Sequence, residues 1–359
     1  MRQIVFALVL IAIGAKAQTL ADTSLESFAR QALADGIKVY GDDVNAAGVV
    51  VMEVNSGNVV CNVNIGQYQG VIKDIPHGNE RAVPSGIGRA TLYLSMMGTI
   101  SPDFVVDTGN GLYTDSITGC SIVDLNHSRG GYGSLTLKKA FDMSDVGIIK
   151  AVETAFNRDM GRYGAAIRKT GVFFANMDEY DYYETDSWKP WIPCDIIGYK
   201  SPYSLLQQTA WMNMVANGGY LKLRLDENDS TQPICEVKDK AGLDSLRSAM
   251  FEAVEHGTGI RMRSLKTYVA GLVNVSPTDH INCRSCFAAA FWPYQDPQYT
   301  IGVWVNKHDK PAGRFIASNI AGQIIDYMVE LQHKLTGCIS QNQLSEIESE
   351  PQKRHPAEK

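Results

Sequence analysis

The chain is 359 residues long, with 45% hydrophobic and 20% charged residues, an ordinary globular composition that can supply a sizeable core. Its 33 Lys and Arg against 39 Asp and Glu give a net charge of −6. That balance argues against nucleic acid as a partner, because phosphate binding rests on a basic surface. Seven cysteines, an odd count, exclude both a complete set of internal disulfides and a disulfide scaffold.

The first residues read as an export signal. Arg2 gives a basic start, Ile4 to Ala15 is an almost unbroken apolar run, and Ala15-Lys16-Ala17 is a small-x-small cleavage site before Gln18. The run falls short of the ~20 apolar residues that a membrane span needs. Residues 1–17 are therefore expected to be removed, and a membrane tether follows only if the signal stays uncleaved. Residues 18–43 are expected to form a short helical segment, and 44–335 one large domain.

Residues 48 to 65 predict a β-hairpin: two β-branched runs flank Asn55-Ser56-Gly57-Asn58. Met160–Arg168 predicts a helix that Lys169-Thr170-Gly171 ends. Leu205 to Ala216 predicts another, capped by Ser204 and stopped by Asn217-Gly218-Gly219. Leu243, Leu246, Met250 and Val254 recur at helical steps before Gly257. Tyr299 to Val305 reads as a strand, and Ile316, Ile320, Tyr327 and Leu331 form one stripe of a C-terminal helix. Beyond about Leu335 the chain turns polar, so 336–359 is expected to be a solvated tail. Strands first, helices in the middle, strands and a long helix last imply an α/β (α+β) fold with a largely antiparallel sheet packed between helices.

The order of these pieces resembles the transpeptidase domain of class B penicillin-binding proteins, over residues 44 to 333. Gly48 to Gly57 is similar to that family's opening hairpin. Val106 to Tyr113, followed by Gly130 to Thr136, resembles the stretch between its first and second motifs. Ile197-Gly198-Tyr199, Leu206-Gln207 and Met214 to Gly219 are similar to its central segment. Gly257-Thr258-Gly259 falls at its turn before the third motif, and Asp296 to Val303 at its late strand. The resemblance implies a penicillin-binding, serine β-lactamase-like fold. It further implies acylation of a serine by a peptidoglycan stem peptide, through the motifs S-x-x-K, S-x-N and K-T-G.

All three motifs fail here. Ser85 stands in the nucleophile's place, but Gly88 fills the lysine's; Arg89 lies one step on. A guanidinium stays protonated and cannot act as a base. Gly86 and Gly88 weaken the helix that should present the serine. Met143-Ser144-Asp145 occupies the second motif, and a Met143 thioether relays no proton, while Asp145 brings a negative charge in place of an amide. Leu272-Val273-Asn274 occupies the third, keeping strand propensity without a cation. Lys169-Thr170-Gly171 spells the third motif literally, but follows Met143 far too soon for the family's spacing. Ser56-Gly57-Asn58 is the hairpin turn. Ser144 with Asp145 as a new base is a further possibility.

Cys283-Arg284-Ser285-Cys286 is a CxxC that could pair locally, or be half of a metal site, or be structural. The histidines show no ligand spacing, and neither metal nor cofactor is expected. Asp178 to Glu184 is acidic and aromatic, and Trp188 and Trp191 are expected to border the ancestral cleft. Two functions stay open. One is a non-catalytic exported protein that binds a peptidoglycan stem peptide or another envelope protein, since a strand edge at Leu272–Val275 still offers backbone groups. The other is a weak transpeptidase, carboxypeptidase or penicillin acyl-acceptor using Ser85.

Overall fold

The computed structural model describes residues 25–39, 44–75, 83, 86–115, 121–172, 188, 197, 203–226, 228–277, 283–308 and 314–336. A helix, α1 (25–39), precedes the hairpin β1 (Val44–Glu53) and β2 (Val59–Tyr68), followed by the short β3 (Val71–Asp74). The hairpin turn holds Gly57 at φ 76°, where a side chain would be strained. Then come α2 (Gly88–Met96) and four short strands, β4 (Val105–Asp107), β5 (Leu112–Thr114), β6 (Ser121–Val123) and β7 (Ser134–Thr136). The helices α3 (Leu137–Met143), α4 (Asp145–Phe156), α5 (Met160–Arg168) and α6 (Leu205–Ala216) follow. The chain continues through the two-residue strands β8 (Tyr220–Leu221) and β9 (Cys235–Glu236) to α7 (Lys240–His256). It closes with β10 (Ala270–Pro277), β11 (Cys283–Trp292), β12 (Tyr299–His308) and α8 (Arg314–Thr336).

The main sheet has six strands in the order β10-β11-β12-β1-β2-β3, every neighbouring pair antiparallel. The C-terminal strands thus insert beside the N-terminal hairpin, and β10 becomes an edge. Alternation along each strand sends successive side chains to opposite faces. Val50, Met52, Leu272, Phe287, Ala289 and Phe291 join the core beneath α2 to α7. Val49, Val51, Val273, Ala288, Ala290 and Val303 join a second core beneath α1 and α8. Phe28 of α1 stacks on Tyr327 of α8 with ring centroids 4.0 Å apart, so these two helices form one outer layer.

Local signals set the helix ends. Ser204 and Gln207 form a reciprocal capping box on α6. Lys169-Thr170-Gly171 ends α5, with Gly171 at φ 70° and the Thr170 carbonyl accepting from Trp211 Nε1 at 2.9 Å. The CxxC cysteines lie three residues apart on one extended, doubly paired strand. At about 3.3 Å per residue their Cα atoms stand about 10 Å apart, beyond disulfide reach, so the local pair is excluded. Among the described residues no helix is long and apolar enough to cross a membrane, and no three metal-ligating side chains gather.

Helix α6 approaches the sheet closely at Gly302, where a Cβ would meet the Thr209 hydroxyl. Gly302→Ala is expected to destabilise the protein by about 1–3 kcal/mol. Thr209→Ala in the same chain should recover most of that loss in a denaturant double-mutant cycle.

Candidate functional site: the junction of α2, α3–α4 and β10

The segment entering α2 is clamped by Gln208, a fully buried side chain of α6. Its Nε2 donates to the carbonyls of Val83 (2.7 Å) and Tyr203 (3.1 Å), and its Oε1 accepts from the Ile87 amide at 2.9 Å. Val83 also donates to the Tyr203 carbonyl at 2.8 Å. A Cβ at Gly86 would collide with the Gln208 amide, so glycine is required there for close approach rather than for flexibility. Ser85 lies outside the described residues. Helix α2 starts at Gly88, with no side-chain cap at Ile87.

Arg89, in the first turn of α2, is 7% exposed. Its Nη1 donates to the Asp142 carbonyl at 3.0 Å and its Nη2 to the Val273 carbonyl at 2.6 Å. Its Nε faces Asp145 Oδ1 at 3.5 Å. One guanidinium therefore joins the end of α3, the start of α4 and the edge strand β10. The three stretches singled out in the sequence do converge, and the residue at which they meet is Arg89 rather than Gly88.

The surroundings are acidic. Ser144, fully buried, caps α4: its Oγ accepts from the Gly147 amide at 2.8 Å and donates to Asp124 Oδ2 at 2.6 Å. Asp124 Oδ1 accepts from the Val146 amide at 3.2 Å. Ser144 is thus committed to a structural role and is not presented to a cleft. Asp142 Oδ1 accepts from the Thr258 amide (3.0 Å) and hydroxyl (2.7 Å), which docks the Gly257-Thr258-Gly259 turn onto α3. Asp145 Oδ1 makes no hydrogen bond, and its side chain is 21% exposed. Burial pushes the Asp145 carboxyl up to about 6; the Arg89 cation opposes that rise and the Asp124 charge adds to it. Burial raises Asp124 as well, against the hydrogen bonds from Ser144 and Val146.

On β10, Leu272 is 5% exposed and faces the helical core, while Val273 packs on the opposite face. Asn274 is 2% exposed, and its Oδ1 accepts from the Val275 amide at 2.9 Å. Two of the backbone groups expected to remain available along this edge are therefore engaged within the chain. Met143 ends α3 half-buried. Trp188 packs edge-on against Tyr163 of α5, centroids 5.4 Å apart. Trp191 and Asp178 to Glu184 lie outside the described residues. A depression of about 590 Å³ lined by Phe104, Lys150, Glu153 and Arg158 runs along the second half of α4, with Glu153 roughly 12 Å along the helix from Asp145.

Sequence reasoning missed Gln208, Asp124 and Asp142. Gln208 follows the capping Gln207 and carries no signal of its own. Asp124 and Asp142 acquire partners only through tertiary contact.

No protein-family profile matches the chain, and no curated protein sequence does. Solved structures do. The transpeptidase domain of penicillin-binding protein 3 from Burkholderia pseudomallei aligns with a TM-score of 0.67 at 16% identity, over 86% of this chain and 94% of that one. A D,D-transpeptidase domain of a peptidoglycan glycosyltransferase from Eggerthella lenta gives 0.64 at 15% identity, covering 88% and 82%. A peptidoglycan glycosyltransferase from Burkholderia ambifaria gives 0.61 at 17%, covering 85% and 96%. The chain has the fold of penicillin-binding-protein transpeptidase domains across nearly its whole described length.

Asp145 should titrate near 6 by carboxyl carbon NMR, above the ordinary carboxylate range. Arg89→Met should move the midpoint higher, because the guanidinium is what opposes burial. The folded state holds this proton more tightly than the unfolded chain, so the contribution is present below about pH 4 and is lost as pH rises through 6. Asp145→Asn should therefore lose less stability than wild type between pH 5 and pH 7.5.

Proposed function

We propose that this chain is an exported, catalytically silent protein on the transpeptidase fold, acting in the cell envelope by binding a peptidoglycan peptide or another envelope protein. The observation that carries the reading is Arg89. A serine acyl-transferase needs a nearby group that can lose and regain a proton near neutral pH. The group at the meeting point of the three motif segments is a guanidinium, which stays protonated, and its donors are already directed at Asp142, Val273 and Asp145.

Two further replacements point the same way. A Met143 thioether has no proton to relay to a leaving amine. Leu272 puts an apolar group where a cation would meet a substrate carboxylate. General acid–base catalysis alone is worth about 10²–10⁴ in rate, so a Ser85 hydroxyl without a base would turn over near background. Export is supported by Arg2, the apolar run Ile4 to Ala15 and the Ala15-Lys16-Ala17 site. Two of the solved structures of this fold are named a penicillin-binding protein and a peptidoglycan glycosyltransferase, and those names support the envelope as this chain's setting.

The test is covalent labelling. The mature protein incubated with a fluorescent penicillin should show no adduct by gel or intact mass, and Ser85→Ala should look the same. A stoichiometric adduct that disappears in Ser85→Ala would overturn the reading in favour of an acylating enzyme.

A further inference from the structure

The edge strand β10 presents backbone groups on one lateral side, and residues two apart along a strand present theirs in the same direction. Val273 and Val275 are such a pair. The Val273 carbonyl accepts from Arg89 Nη2 at 2.6 Å. The Val275 amide donates to Asn274 Oδ1 at 2.9 Å. β10 is paired on its other side to β11 from Ala270 to Pro277, with no break in register. An exposed strand edge is ordinarily a template for a further strand, and natural sheets blunt such edges. Here one acceptor and one donor of the outer row are occupied by the chain's own side chains.

The two caps are built. Arg89 and Asn274 are 7% and 2% exposed, so neither is a surface side chain sampling many positions. Arg89 also donates to the Asp142 carbonyl at 3.0 Å. The end of α3 and the edge of β10 are thereby held no further apart than one guanidinium and its two hydrogen bonds. An added strand would have to lie about 4.8 Å from β10 with its own side chains beyond it. It cannot occupy that lane while Arg89 stays in place.

We infer that β10 is sealed against strand addition by Arg89 and Asn274, so that an extended peptide does not bind along this edge. The inference rests on the non-catalytic reading and sharpens it: the partner engages another surface than the ancestral peptide lane. Asn274 takes one outward donor, because its side chain reaches the amide that follows it. Arg89 takes the outward Val273 carbonyl and blocks the lane beside it, because its planar fork also holds the end of α3 there.

Two measurements on isotope-labelled mature protein decide it. First, a stem pentapeptide ending in D-Ala-D-Ala, titrated to about 1 mM, should leave the amide resonances of 272–275 unmoved, whereas a Kd in the millimolar range would shift them. Saturable shifts there in the wild-type chain would overturn the proposal. Second, Asn274→Ala should raise hydrogen exchange of the Val275 amide about tenfold, the loss of one internal hydrogen bond. An unchanged Val275 rate in a chain that melts like wild type would also overturn it. Neither outcome depends on acylation, so penicillin labelling and edge sealing can fail separately.

Discussion

A buried guanidinium holds this site together, and most of the local geometry follows from what such a group requires. Removing a charge from water costs several kcal/mol unless partners replace the lost solvent. Arg89 finds them in the Asp142 carbonyl, the Val273 carbonyl and the Asp145 carboxylate. Asp142 and Asp145 flank the α3–α4 junction, while Val273 lies on β10, well over a hundred residues further along the chain. None of the segments can move alone without leaving the cation short of a partner, so the ends of α2 and α3, the start of α4 and β10 are coupled. A lysine in the same place would have three donors on a single nitrogen and would reach fewer directions. Arginine suits a joint; lysine suits chemistry.

The same logic extends to the sheet as a whole, which has two edges to manage. At one end β3 is four residues long and finishes in Lys73 and Asp74, and Asp74 pairs with Arg30 of α1. Shortness and charge are enough there. At the other end β10 is eight residues long and uncharged, and its edge faces the helical half of the molecule. It is closed instead by specific side chains, and Leu272 and Val273 divide between the two cores to fix its register. Each end uses the device that its length and surroundings allow.

What the sequence made legible was local. The Ser204 cap of α6, the Lys169-Thr170-Gly171 turn and the hairpin around Gly57 are set by residues within a few positions of one another, and all three stand where their signals put them. The order of such pieces was enough to give the fold, even though the solved structures that share it match only 15–17% of its residues. The site was legible only in part. The stretches around Gly88, Met143 to Asp145 and Leu272 to Asn274 do converge. That Arg89 rather than Gly88 makes the junction depends on where α2 begins, and a glycine-rich entry gives no periodicity from which to count. Gln208 could not be told from Gln207, because one faces a helix end and the other a loop more than a hundred residues away in sequence. The CxxC left a local pair, half of a metal site and a structural role open, and the regular strand β11 removes the local pair.

An active site carries groups that are poorly satisfied in the free protein because they wait for a substrate, and such sites are commonly a cost to stability. This junction has the opposite character. Ser144, Asp124, Asp142, Arg89 and Asn274 each have hydrogen-bonding partners inside the protein. Asp145 departs from that pattern: its Oδ1 has an ion-pair neighbour but no hydrogen bond, and burial holds its proton well above the usual carboxylate range. Polar groups turned inward in this way are held rigid by their partners in the ground state. A buried guanidinium that needs fixed acceptors takes the Val273 carbonyl at the strand edge, so satisfying the cation and leaving that acceptor open to a partner exclude each other.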